Sequence, residues 1–96
     1  MKNYLELSDI IGVPSLDQEL LQLAERERRL RKRRGLSQMA LSEKSGVSLG
    51  SIKRFERTGE ISLKHLFQIA LALDDLASLR EVFNNVPMTR AELWGE

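Results

Sequence analysis

The chain contains no cysteine. That excludes disulfides, zinc–thiolate sites and cysteine nucleophiles. It has a single histidine, His65, and one imidazole without thiols builds no metal site. No metal or other cofactor is therefore expected, and His65 is read as an exposed surface residue. Prolines number two, Pro14 and Pro87, and both fall outside the strongest helical patterns. No apolar run approaches the ~18 residues that span a bilayer. The opening MKNYLELSDIIG is acidic and lacks the cationic start and apolar middle of a signal peptide. No membrane partner is expected, and the cytoplasm is the default location. Also missing are a phosphate-cradling glycine loop and any nucleophile with a base and an orienting group. Ser37, Ser48 and Ser62 read as helix caps, so the chain reads as a non-enzyme.

What is present is a chain of 96 residues, 42% apolar and 30% charged, which fits one small folded domain. The net charge of +1 hides an uneven distribution. Residues 25–35, ERERRLRKRRG, hold seven cations against two acids, whereas residues 1–24 hold one Lys against four acids. Clustering of this kind is the footprint of a polyanion partner, although a basic run is also found on plain solvated helix faces.

Periodicity and caps predict an all-α chain. The first helix runs over about 16–34, with Leu16, Leu20, Leu23, Ala24 and Leu30 as an incomplete apolar stripe and Gly35 after its end. Ser37 caps a second over 38–45, and Ser48 a third over 49–57. Ser62 caps a fourth over 63–73, with Leu63, Leu66, Phe67, Ile69, Ala70 and Leu73 as its buried stripe. A fifth spans 76–84 through Leu76, Leu79, Val82 and Phe83. The Thr89–Glu92 spacing predicts one more turn in the tail. The segment YLELSDII has an ambiguous alternating pattern. Between the second and third helices lie only about three residues, GVS, too few for an antiparallel overlap; they force a sharp crossing.

The third helix is two-sided. At 100° per residue, Ser48, Phe55, Glu56 and Gly59 share a side with Ile52. Gly50, Lys53, Arg54 and Arg57 lie roughly 100° to 200° away. Ile52 and Phe55 are expected to pack against the second and fourth helices, with the cations held outward.

The stretch RKRRGLSQMALSEKSGVSLGSIKRFERTG, followed by SLKHLFQIALAL, resembles the helix-turn-helix of the lambda repressor/Cro type, the XRE family. The matching positions cover about residues 30 to 73. The resemblance implies an all-α, five-helix DNA-binding domain over 16–84, with an N-terminal arm at 1–15 and a short C-terminal tail at 85–96. It implies that the start and outer side of the third helix read bases, here Ser48, Leu49, Gly50, Ser51, Lys53 and Arg54. Leu49 departs from the polar reader common in relatives and offers only an apolar contact, and Gly50 reads nothing. Fewer direct readers imply more dependence on phosphates and DNA shape. Gln38 matches a phosphate-clamping glutamine; Ser37, Arg57 and Lys64 are further phosphate candidates, with Lys44 behind them. Arg31 and Glu56 match a structural ion pair between the first and third helices. Glu27 stands where relatives carry an aliphatic residue.

Such proteins dimerise on two half-sites, so the expected partners are a pseudo-palindromic double-stranded operator and a second copy. Without a long effector extension, dimer contacts are expected from the fifth helix, the tail or the N-terminal arm. Trp94 is read as an anchor for another protein or as disordered, not as core. The run GVSLGSIKRFERTGEISLKHLFQIALALDDL also resembles HipB-type antitoxins, which accompany HipA-like serine/threonine kinase toxins. That implies a repressor that autoregulates its operon and neutralises a toxin. The alternative is an autonomous XRE-family repressor without a toxin partner.

Overall fold

A computed structural model describes residues 15–95, so the N-terminal YLELSDII pattern and all but the last residue of the expected arm lie outside the described residues. These residues form six helices and no strand: α1 Leu16–Arg33, α2 Gln38–Ser45, α3 Leu49–Thr58, α4 Leu63–Ala72, α5 Leu76–Arg80 and α6 Arg90–Trp94.

Local chemistry sets the boundaries. The hydroxyls of Ser15, Ser37, Ser48 and Ser62 each accept the backbone N–H three residues on, at the starts of α1 to α4, satisfying donors that a helix start leaves orphaned. Ser15 and Gln18 complete a capping box on α1. Asp17 and Glu19 in the first turn of α1 and Arg31, Lys32 and Arg33 in its last turn complement the helix dipole. Gly46 ends α2 at φ +77°, the left-handed conformation that glycine adopts without a Cβ penalty. The Ser42 hydroxyl donates to the Val47 carbonyl at 2.6 Å, tightening the turn into α3.

The core consists of Ala24, Leu41, Val47, Ile52, Phe55, Ile69, Ala72 and Leu73. α3 packs chiefly on α1 and α2, and α4 packs on α2 and α5. Ile52 and Phe55 share one core with Ile69 and Ala72 of α4, and α1 joins it through Ala24, Leu23 and Leu30, a partner of α3 that the sequence reading did not name for those two residues. Leu16 and Leu20 are exposed, and the buried positions of α1 are Ala24, Glu27 and Arg31. Two other expectations are corrected. Leu63 and Phe67 of α4 are 69% and 39% exposed, not buried. α5 stops at Arg80 rather than 84, leaving Val82 and Phe83 in solvent, with Phe83 at φ +63°.

The charged residues inside α1 fasten it to α3. Arg31 donates Nε and Nη2 to the two carboxylate oxygens of Glu56 at 2.8 and 2.9 Å, and Nη1 to the Leu36 carbonyl at 2.8 Å. Gln38 Nε2 donates to Glu56 Oε1 at 3.1 Å. Glu27 lies one turn before Arg31, 4.0 Å from its Nε, and neither Glu27 oxygen has a hydrogen-bond partner among the described residues. Burial pushes the Glu27 carboxyl up to about 8, and the neighbouring Glu56 carboxylate adds to the rise against the pull of Arg31. Glu56 moves the other way. Burial opposes its ionisation, but the hydrogen bonds from Arg31 and Gln38, with the charge of Arg31, outweigh burial and hold it below the usual carboxylate range. One proton is thus kept on Glu27 while Glu56 carries the charge that answers Arg31.

Outside that cluster, Arg34 Nε donates to the Leu73 carbonyl at 3.1 Å, and Gln68 Nε2 to the Ser45 carbonyl at 3.1 Å. These bonds tie the ends of α4 and α2 to other helices. Gly59 is buried at the end of α3, at φ +83°, and a Cβ there would lie 2.7 Å from the Leu20 backbone carbon.

Two expected outcomes follow from this packing. Gly59→Ala combines left-handed strain, roughly 1 kcal/mol or more, with collision against the α1 backbone; urea titration should show a loss of stability well beyond the strain alone. Folded Glu27 keeps its proton up to about pH 8, while the unfolded chain releases it near 4.5. Its contribution is therefore complete below pH 4.5 and lost as pH rises toward 8. Glu27→Gln, which is neutral at every pH, should flatten the fall in unfolding free energy between pH 5 and 8 and be more stable than the parent at pH 8.

Candidate nucleic-acid interface

α3 presents its two sides differently. Ile52 and Phe55 are fully buried, and Val47 behind the turn is 1% exposed. These contacts fix the roll of the helix. On the outer side Ser48, Gly50, Lys53, Arg54 and Arg57 are exposed, while Leu49 and Ser51 are half-buried. The sharp GVS turn leaves the start of α3 projecting, because only Val47 of that turn enters the core.

The hydrogen bonds of these side chains limit what they can offer a ligand. Ser48 Oγ accepts the Ser51 N–H at 3.1 Å and donates to Ser51 Oγ at 2.9 Å, so the two hydroxyls first serve the helix start. Ser37 Oγ likewise accepts the Ala40 N–H at 3.0 Å. Gln38 is half-buried, and one of its amide N–H groups is engaged by Glu56. The other remains available to an anion, together with the amide N–H groups at the α2 start. Arg54 Nη2 meets Glu60 Oε2 at 3.2 Å, with the side chains 62% and 59% exposed. An exposed pair of this kind is worth at most about 1 kcal/mol, so it parks the guanidinium without locking it. Glu60 was not singled out by the sequence. The chain reversal at Gly59 and the bond from the Glu60 N–H to Thr58 Oγ1 at 3.1 Å bring it back beside Arg54. Lys64 is exposed on the first turn of α4. His65 is half-buried rather than exposed, because it lines a notch of about 350 Å³ with Ser51, Arg54 and Glu60.

The basic block of α1 does not present one continuous cationic face. Arg28 and Arg29 both approach Glu25, at 3.7 and 3.6 Å. Arg31 is interior, and Arg34 bonds the end of α4. Lys32 and Arg33 are exposed. Local charge counting in the sequence could not separate these roles, since they depend on which side of α1 each residue occupies.

A ligand suited to α3 is elongated, anionic and grooved. The helix projects a guanidinium and an ammonium from one edge, with a glycine between them and the helix start that permits close backbone approach. An α-helix fits the major groove of B-DNA, where an arginine can grip guanine O6 and N7 together. Among the described residues no helix is long and apolar enough to cross a membrane, and no cluster of His, Cys, Asp or Glu could hold a metal ion.

Comparison with curated proteins finds no match, and comparison with solved structures finds none either. A protein-family model described as Helix-turn-helix matches residues 28–81, which is more than half the chain and runs from the basic block of α1 to just past α5. With this match and a helix-turn-helix whose second helix is packed by Ile52 and Phe55, the chain belongs to the XRE-family, lambda repressor-like helix-turn-helix proteins, and it is a DNA-binding transcriptional regulator.

Proposed function

We propose that this regulator is a sequence-specific repressor that binds a pseudo-palindromic operator as a homodimer. We further propose that it is the antitoxin of a HipA-like serine/threonine kinase toxin and autoregulates the operon that encodes both. The observation that carries the DNA reading is the two-sided α3, with Ile52 and Phe55 sealed inside and Lys53 and Arg54 projecting. In this reading residues 16–84 are the DNA-binding domain, 1–15 an arm and 85–96 a tail.

Arg54 is the principal base reader, released from Glu60 as the duplex approaches. Lys53 reads a second base or holds a phosphate. Leu49 contacts a thymine methyl, Gly50 admits the sugar–phosphate edge, and Ser48 and Ser51 bond bases or phosphates with the capacity left after capping. Gln38, Ser37, Arg57 and Lys64 hold the backbone on either side. The toxin partner is supported by the likeness of residues 46–76 to HipB-type antitoxins. Its test is co-purification with the product of the adjacent reading frame. Operator binding without such a complex would leave the autonomous repressor standing.

Footprinting on the upstream DNA tests the assigned orientation of α3. Arg54→Ala should weaken operator binding by about 5- to 150-fold and relax preference at one base pair of each half-site. Unchanged affinity and preference would mean that another face of the domain meets DNA. Glu60→Gln, which unties Arg54 and removes a negative charge, should tighten binding at low salt. Affinity should fall steeply as salt rises, since neutralised phosphates release counterions, and Lys64→Ala should make that slope shallower by about one.

A further inference from the structure

α4 buries Ile69, Ala72 and Leu73 in the core. Another edge of the same helix carries Leu63, Phe67 and Leu71, spaced four residues apart and therefore stacked in one stripe. They are 69%, 39% and 65% exposed. With Leu76 at the start of α5 they line a shallow groove of about 580 Å³ that is almost wholly apolar, with Lys64 as its charged member. The stripe takes no part in holding α3.

A second uncovered apolar surface lies beyond α5. Val82, Phe83, Val86, Met88, Leu93 and Trp94 are all between 55% and 94% exposed. This segment is locally specified all the same. Thr89 and Glu92 form a reciprocal capping box on α6, and Gly95 closes it in the left-handed conformation. A short helix built this carefully still leaves its two large apolar residues, Leu93 and Trp94, unburied.

We propose that the partner for both surfaces is a second copy of this chain. The segment 82–94 of each copy lies in the α4–α5 groove of the other, so the exchange is reciprocal about a two-fold axis. The inference rests on the dimeric DNA-binding reading above and names the interface. Each copy holds one uncovered groove and one uncovered apolar segment, and a two-fold arrangement covers both at once. Area separates this from simpler dimers. Packing stripe on stripe offers three side chains per copy, well short of the ~800 Å² per partner of a standard interface. Adding the six apolar residues of the segment on each side supplies the missing surface. Reach is adequate, since the eight residues before α6 and the five of α6 span up to roughly 35 Å.

The test uses the full chain and measures its mass by sedimentation equilibrium. Two variants are made at exposed positions: a groove variant, Phe67→Asp with Leu71→Asp, and a segment variant, Phe83→Asp with Trp94→Asp. Circular dichroism checks that both keep the parent's helix content. The parent should be a dimer, and each variant alone should dissociate with a Kd raised more than about 30-fold. Mixed one to one, they should form a heterodimer, because the intact segment of the groove variant meets the intact groove of the segment variant. A mixture that stays monomeric, a groove variant that still dimerises, or a parent that is itself monomeric would each overturn the exchange. Footprinting of the parent separates this from the DNA reading. A monomer that still protects the operator sinks the exchange alone, and a dimer that protects no DNA sinks the operator reading alone.

Discussion

The bidentate bond from Arg31 to Glu56 is the constraint on which the rest depends. α3 contributes only ten residues, too few to be stable as a helix alone. Its position must come from its neighbours. Ile52 and Phe55 set its roll by burial, which is non-directional, while the guanidinium–carboxylate fork sets its register along α1 because two parallel hydrogen bonds accept one geometry. The third arm of the same guanidinium reaches the Leu36 carbonyl, so the turn before α2 is placed by the same side chain. Gln38 joins through Glu56. One interior charge pair thereby coordinates α3, the turn leading to α2 and the glutamine at the start of α2.

Burying such a pair is costly, and the cost is greater with a second carboxyl beside it. Keeping a proton on Glu27 resolves the conflict. Two ionised carboxylates against one guanidinium would leave a net negative charge in the core, whereas a neutral Glu27 beside an ionised Glu56 leaves none. The arrangement is a coupled unit, and a change at any of its three members alters the protonation of the others.

Much of this architecture was legible in the sequence, because caps and glycines act locally. Ser37, Ser48 and Ser62 each mark a helix start, and Gly46 and Gly59 each mark a reversal. The inward side of α3 follows from its period. What the sequence hid depends on the third dimension. The pairing of Arg31 with Glu56 was readable only through the family resemblance, and composition alone places both Arg31 and Glu27 in a basic run, since burial of a charge is decided by a partner twenty-five or more residues away. Arg34 is exposed, as the run suggests, but its Nε also finds the Leu73 carbonyl across the domain. Leu63 and Phe67 fit an apolar stripe, and periodicity alone cannot tell a stripe covered by its own core from one left for another chain. The pairing of Arg54 with Glu60 was likewise invisible until the Gly59 turn folded one back toward the other.

The close approach of Gly59 to α1 also divides mutational tolerance unequally between the two partners. The atoms it would meet at position 20 are a backbone carbon, a backbone oxygen and a Cβ, which nearly every amino acid possesses. Position 20, with its side chain turned toward solvent, can therefore drift through many residue types without disturbing the contact, whereas position 59 is confined to the one amino acid that lacks a side chain.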